Sequence, residues 1–201
     1  MPTRNKPCAE SCEQNRDPIL QVIQPLLTDC NSLLEIGSGT GQHAVYFAAA
    51  MPQLQWYTSD RLASHDGIRM WLQDSALDNV HGPIELDVGR SVWPAQQFDA
   101  AFSANTCHIM HWQEVEAMFA GVGKALKPGG RFLLYGPFNY NGAYTSASNA
   151  RFDDWLKARD PHSGIRDFAQ LDALARQAGM QLQQDVAMPA NNRILFWRKQ
   201  P

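Results

Sequence analysis

The apolar run Leu33-Leu34-Glu35-Ile36 breaks into Gly37-Ser38-Gly39-Thr40-Gly41, and Gln42-His43-Ala44-Val45-Tyr46-Phe47-Ala48-Ala49-Ala50 follows at once. Three glycines alternating with small polar residues fit neither a strand interior nor a helix interior, so they mark a tight turn between the two. Glycine is required there where the backbone takes positive φ or passes close to a ligand. The helix after the turn opens with N–H groups that no intrahelical carbonyl reaches, a natural place for polar ligand atoms. Alone, such a turn is also an ordinary strand-to-helix connection; the rest of the chain decides its meaning.

Strand and helix signals alternate through most of the sequence. Strands are expected over 32–36, 54–58, 83–86, 98–103 and 131–135, ending at Ile36, Ser59-Asp60, Asp87-Val88, Ala104-Asn105 and Tyr135-Gly136-Pro137. A helix runs over about 42–51 and Pro52 stops it. Ser64 is placed to cap the next, with Ile68, Trp71, Leu72 and Ala76 on one side. A helix from Trp112 buries Val115, Met118, Phe119, Val122 and Leu126 and stops at Lys127-Pro128-Gly129-Gly130. Asp167, with Gln170 three residues on, opens a helix bearing Phe168, Leu171, Leu174, Ala175 and Ala178 and closed by Gly179. Strands over 181–187 and 193–198, around Pro189-Ala190-Asn191-Asn192, form a terminal antiparallel hairpin. The fold class is α/β: a Rossmann-like, doubly wound, mostly parallel seven-stranded sheet with helices on both faces.

The ends of the chain are less regular. Residues 1–16 read as an irregular or partly helical arm. Asp17-Pro18 reads as an N-cap and first helical residue, with Ile19, Ile23, Leu26 and Leu27 on one buried face and Pro25 kinking or splitting the helix. From 136 to 166 periodicity is lost, apart from one helical turn around Phe152-Asp153-Asp154-Trp155-Leu156. So long an irregular stretch suits a lid or substrate loop. We expect one domain over 1–201.

Composition narrows the function classes. At 44% hydrophobic and 18% charged, the composition is that of an ordinary soluble globular protein, and a net charge of −3 with no long run of either sign argues against nucleic acid as the main partner. No apolar run is long enough to span a bilayer. The N-terminus shows no apolar leader core, so a cytoplasmic location is expected. Cys8 and Cys12, four apart, would suit zinc only if His108 and His111 completed the set; reduced thiols and no metal are the expectation.

Ligands of doubly wound sheets bind beyond the carboxyl ends of the strands. Asp60, about 20 residues past the last glycine, stands where an acid grips ribose hydroxyls. Asp87 stands at the next strand end, suited to nucleoside contact. Dinucleotide enzymes use G-x-G-x-x-G; here Gly37, Gly39 and Gly41 form G-x-G-x-G after Glu35, with no cationic phosphate grip nearby. This form, with the turn at Lys127-Pro128-Gly129-Gly130 and the terminal hairpin, resembles the class I S-adenosylmethionine (SAM)-dependent methyltransferases.

The chain further resembles the methyltransferase-like family known as domain-of-unknown-function family 938, over nearly its whole length. The matching blocks are Asn15 to Leu20, Leu34-Glu35 with Gly37 to His43, Ser59-Asp60, Leu86-Asp87-Val88, Tyr135-Gly136-Pro137, Ser148-Asn149 with Phe152-Asp153, Gly164 to Asp167 and Met188 to Asn192. The resemblance implies methyl transfer from SAM. Backbone from Gly37 through Ser38 and Gly39 to Gly41 would lie against its methionine part, with Glu35 near the amino group and His43 shaping the pocket. Asp60 would hold the ribose, Asp87 and Val88 would flank the adenine, and Asn105 would sit near the methyl group.

Methyl transfer from a sulfonium needs alignment and a dry pocket, and a base only when the nucleophile carries a proton. His108, just past Asn105, is the candidate base, and also fits a buried histidine that only shapes the pocket. His111 reads as a helix-start residue. Tyr135, Phe138, Asn149, Arg166, Asn191 and Asn192 are candidate substrate-side residues, and the aromatic and amide content of 136–166 suits a small-molecule acceptor. Two other functions are open at this point: a SAM-binding regulatory or scaffold protein without turnover, and a nicotinamide-dependent oxidoreductase, which the glycine spacing disfavours.

Overall fold

The spacing of Ile19 and Ile23 belongs to one long helix, α1 (Glu10–Leu26), capped by the buried Leu27, in the computed structural model, which describes residues 6–201. Residues 1–5, part of the arm expected over 1–16, lie outside the described residues. The helix begins well before Asp17-Pro18, the expected start. Glu10 and Glu13 occupy its first turn, where acids complement the unpaired N–H groups. Pro18 lies inside it, and Pro25 in the last turn neither splits nor ends it. A proline removes one ladder bond and crowds a carbonyl. Ile19 and Ile23, fully buried, hold the helix against that loss. Asp17 accepts the Tyr46 hydroxyl at 2.5 Å instead of capping a helix.

Seven long strands, mostly parallel, are flanked by helices. The chain divides into two compact units, the first ending at Asp87 and the second running Val88–Pro201. The first unit carries β1 (Ser32–Ile36), α2 (Gln42–Ala50), β2 (Gln55–Asp60), α3 (His65–Ser75) and β3 (Val80–Glu85). Its strands are parallel in the order β3-β2-β1. All five residues of β1 are buried, which is why the run shows no alternation. Ser64 is not the cap expected. It ends a short 3-10 turn, Leu62–Ser64, with helical φ and ψ of −87° and −14°, and its side chain makes no cap bond. Ile68 and His65 are the buried residues of α3.

The second unit carries β4 (Phe98–Ala104), α4 (Trp112–Ala125), β5 (Leu126–Gly136), the two-residue β6 (Phe138–Asn139), α5 (Ala147–Arg159), the two-residue β7 (Arg166–Asp167), α6 (Phe168–Gln177), β8 (Met180–Met188) and β9 (Asn192–Lys199). The order is β4-β5-β9-β8, with β9 antiparallel to both neighbours, as the hairpin requires. Phe119 of α4, Phe132 of β5 and Trp197 of β9 form its aromatic centre, with ring centroids 5.4 to 5.7 Å apart. Leu126 is already extended and pairs with Phe98; the register then shifts, and Arg131 pairs with Ala100. Asp167 caps α6 by accepting the Ala169 N–H at 2.9 Å.

The stretch expected to lack periodicity also departs from expectation. Instead of a single turn, α5 runs 13 residues, capped by Ser146, whose Oγ accepts the Asn149 N–H at 3.1 Å. Its buried residues are Asn149, Asp153 and Leu156. That spacing is helical, but two of the three are polar, so no apolar stripe announces it. Among the described residues, no helix is long and apolar enough to cross a membrane.

Candidate functional site

In the first unit, Gly37, Gly39 and Gly41 all take positive φ, at 71°, 59° and 91°. The N–H groups of Gly37 and Ser38 both donate to the Ser59 carbonyl at 3.0 Å, which ties the turn to the tip of β2. The last two glycines serve different needs. A Cβ on Gly41, the N-cap of α2, would come within 3.2 Å of the Ile68 Cα and 3.3 Å of the Trp71 Cβ. A Cβ on Gly39 would meet nothing within 4 Å. Gly41 therefore lets α2 and α3 pack, while Gly39 turns its backbone outward.

Glu35 lies beneath this turn, 2% exposed. Its Oε2 accepts the Ser38 hydroxyl at 2.8 Å and the Trp56 indole N–H at 3.1 Å. Ser59 closes the knot: its hydroxyl donates to the Glu35 carbonyl at 2.6 Å and its N–H to Ser38 Oγ at 3.1 Å. Burial raises the Glu35 carboxyl to about pKa 7, against the two hydrogen bonds that favour its charged form. Trp56 was not singled out from the sequence. The register pairs Leu33 with Trp56 and Glu35 with Thr58, so Trp56 shares the sheet face of Glu35, a parity that the two strands alone carry.

Asp60 sits at the end of β2. Its Oδ2 accepts the Gly39 N–H at 2.7 Å and its Oδ1 the Arg61 N–H at 2.7 Å. A carboxylate oxygen holding one donor accepts a second, so Asp60 is both fixed and able to take ligand hydroxyls. Arg61 also pairs with Asp87 at 3.6 Å.

His43 faces α1. Its Nε2 lies 2.7 Å from Asn15 Oδ1, Cys12 Sγ lies 4.0 Å from Nδ1, and the ring stacks on Phe47 at 5.1 Å. Burial, with Arg16 nearby, lowers its pKa to about 4, so the imidazole is neutral. Gln42 bridges in the same direction, accepting the Ala9 N–H at 2.5 Å and donating to Glu13 at 2.9 Å. Cys8 accepts from Gln42 at 3.3 Å. The cysteine pair thus meets Gln42 and His43, and among the described residues no three His, Cys, Asp or Glu side chains group to hold a metal.

In the second unit, Val88 is buried and its carbonyl accepts the Trp93 indole N–H at 3.3 Å. Asn105 takes φ +59° and donates its N–H to the Tyr135 carbonyl at 3.0 Å. His108 is buried; its ring stands edge-on to Phe152 at 5.2 Å, and a Cβ on Gly136 would lie 3.9 Å from Nδ1. Burial, then the Arg166 guanidinium, lowers its pKa to about 4. His111 opens α4, its N–H donating to Glu114 at 2.8 Å, and its ring meets Asp160 at 2.8 Å.

The substrate-side candidates are tied into the fold itself. Arg166 donates to the carbonyls of Cys107, Met110 and His162. The Asn149 amide donates to Thr145 Oγ1 at 2.9 Å and to the Asn191 carbonyl at 3.1 Å. Asn191 donates back to Ser148 at 3.2 Å, and Asn192 to the Pro189 carbonyl at 3.3 Å. Tyr135 and Phe138 are buried. A separate groove of about 510 Å³, lined by Glu116, Lys124, Leu174, Gln177 and Lys199 among others, holds none of these residues.

The first-unit residues fit the nucleoside part and the amino acid part of SAM: an outward-turned glycine backbone, a buried acid below it and a fixed acid at the next strand end. Comparison with solved structures agrees on the fold. The chain is similar to the SAM-dependent methyltransferase SibL in its apo form, at 22% identity and TM-score 0.80 over 95% of this chain and 56% of that one. It is similar to the mitomycin 7-O-methyltransferase MmcR at 17% and 0.82, over 94% and 54%. It is also similar to human N-acetylserotonin methyltransferase in complex with SAM at 16% and 0.79, over 96% and 53%. The chain thus spans little more than half the length of these structures. The model of the family described as protein of unknown function (DUF938) matches residues 6–199, and the chain belongs to that family.

Proposed function

We propose that this chain binds SAM and transfers its methyl group to a small-molecule acceptor. The observation that carries this reading is the turn over Glu35, in which Asp60 at the tip of β2 holds the N–H of Gly39. Bound there, SAM would supply a methyl group already activated on a sulfonium. Glu35 would meet the amino group, whose charge favours the ionised carboxylate that burial disfavours. Asp60 would take the ribose hydroxyls, with Asp87 beside the adenine.

His108 is neutral at pH 7 and can accept a hydrogen bond from the acceptor. The burial and Arg166 charge that keep it neutral also make it a weak base. That combination favours acceptors whose nucleophilic atom loses its proton readily. The reading includes no nucleic-acid or membrane partner and a cytoplasmic location, supported by the charge balance and by cysteine spacings that suggest no disulfide framework.

Thermal melts test the cofactor. S-adenosylhomocysteine at a hundred times its dissociation constant should add about 2.7 kcal/mol of stability, worth roughly 2–4 °C per kcal/mol in a chain this size. Stabilisation by NAD alone would overturn the reading. Labelled SAM with a metabolite panel then tests turnover. Tight binding with no methylated product from any acceptor class would favour a regulatory SAM-binding protein.

A further inference from the structure

His108 lies on a stretch, residues 105–111, that belongs to no helix or strand, so its placement depends on what grips that stretch. The grip comes from residues 162–166. Gly164 donates its N–H to the His108 carbonyl at 2.8 Å. Arg166 holds the carbonyls of Cys107 and Met110 on either side. These three bonds fix the backbone before, at and after the imidazole.

That second segment is tied to the end of α5 through the Ser163 hydroxyl on the Leu156 carbonyl and the His162 N–H on Asp160, and its Gly164-Ile165 part is held by one side chain of α5. The Asp153 carboxylate, 1% exposed, accepts the Ile165 N–H at 2.6 Å, next to the N–H that holds His108. Its other oxygen takes the Tyr144 hydroxyl at 2.6 Å and the Lys157 ammonium at 2.6 Å. The fit is tight: a Cβ on Gly164 would come 2.9 Å from Asp153 Oδ1, and Gly164 sits at φ +150°. Burial disfavours the Asp153 charge, but Lys157, Tyr144 and Ile165 more than offset this and hold its pKa below the usual value. A buried carboxylate kept ionised by three donors from three chain segments is a rigid joint. Phe152, its neighbour on α5, meets the His108 ring directly, so one helix sets both the backbone and the edge of the imidazole.

We propose that Asp153 is a positioning residue for His108, acting through Ile165 and Gly164. This rests on the reading that His108 faces the methyl acceptor, and its test does not need that acceptor.

The test follows the imidazole of His108 by NMR in the full chain, assigned with His108→Gln, across a pH titration. In Asp153→Ala, the His108 resonance should move, and its midpoint should rise from about 4 toward 6.5 by roughly one pH unit or more as water reaches the ring. Asp153→Asn keeps an oxygen for the Ile165 N–H but loses the acceptor for Tyr144 and Lys157, and should move His108 clearly less than Asp153→Ala does. If Asp153→Ala does not fold, Gly164→Ala strains the same joint with Asp153 and its donors intact, and should shift His108 likewise. An unmoved His108 in these variants, or an Asn variant that moves it as far as the Ala variant, overturns the proposal. Turnover by His108→Gln is scored separately. If that enzyme methylates normally while Asp153→Ala still shifts His108, the role read for His108 falls and the positioning by Asp153 stands.

Discussion

Asp60 Oδ2 holds the N–H of Gly39 at 2.7 Å, so the acid proposed to meet a ribose also fixes the glycine backbone proposed to meet the rest of the ligand. The two sites are one rigid unit, and a change in the side chain acts on both.

Asp60→Ala should therefore weaken S-adenosylhomocysteine binding by roughly 1.5–3 kcal/mol, on the order of 10- to 150-fold in dissociation constant. Asp60→Asn keeps an acceptor for Gly39 and should fall between Ala and the parent. Calorimetry decides: parent affinity in Asp60→Ala would make this acid a clamp on the turn alone.

Glu35→Gln should stabilise the protein above neutral pH. The folded state holds the Glu35 proton to about pH 7, against 4.5 for an ordinary glutamate. Folded protein thus binds more protons between those values, so stability declines as pH rises from 4.5 to 7 and is flat above. The amide oxygen still accepts from Ser38 and Trp56. The gain should be near zero at pH 4.5 and reach about 3 kcal/mol at pH 8, read from urea melts, with weaker cofactor binding alongside. An equal gain at both pH values would place the charge of Glu35 outside the account.

His43→Leu should act on the acid side. The folded imidazole titrates near 4, the unfolded one near 6.5, so the unfolded chain takes up a proton first and stability is lost as pH falls from 6.5 to 4. Leu removes that loss but leaves Asn15 Oδ1 without its donor, at a cost of about 1–3 kcal/mol at pH 7. The variant should melt lower at pH 7 and show a shallower decline toward pH 4. His108, lowered in the same direction, keeps part of the slope.

The parts of the fold legible in the sequence are those written locally. The buried run of β1, the glycines after it and the apolar stripe of α4 each lie within one stretch of chain. The start of α1 was not legible because Pro18 argues against a helix interior, and burial of Ile19 and Ile23 overrides it. The length of α5 was hidden because Asn149 and Asp153 face inward, where a pattern reading expects apolar residues. Within the site, Glu35, Gly39 and Asp60 follow from the turn and the next strand end. The hold of Arg166 on Cys107 and Met110 joins residues more than 50 apart in sequence, and no short pattern records it.

Two glycines of the turn separate folding from binding. Gly39→Ala and Gly41→Ala each put a side chain at positive φ, which disfavours Ala by roughly 1–2 kcal/mol. At Gly41 the new methyl also presses on α3, through Ile68 and Trp71. Overpacking adds about 1–3 kcal/mol more. Gly41→Ala should therefore show the lower melting temperature. At Gly39 nothing in the protein opposes the methyl, but a ligand lying on that backbone would. Gly39→Ala should melt closer to the parent and lose the larger share of S-adenosylhomocysteine affinity. Melts and calorimetry on the two variants give four numbers. If Gly39→Ala binds as the parent does, the cofactor does not lie against this glycine, whatever its conformation.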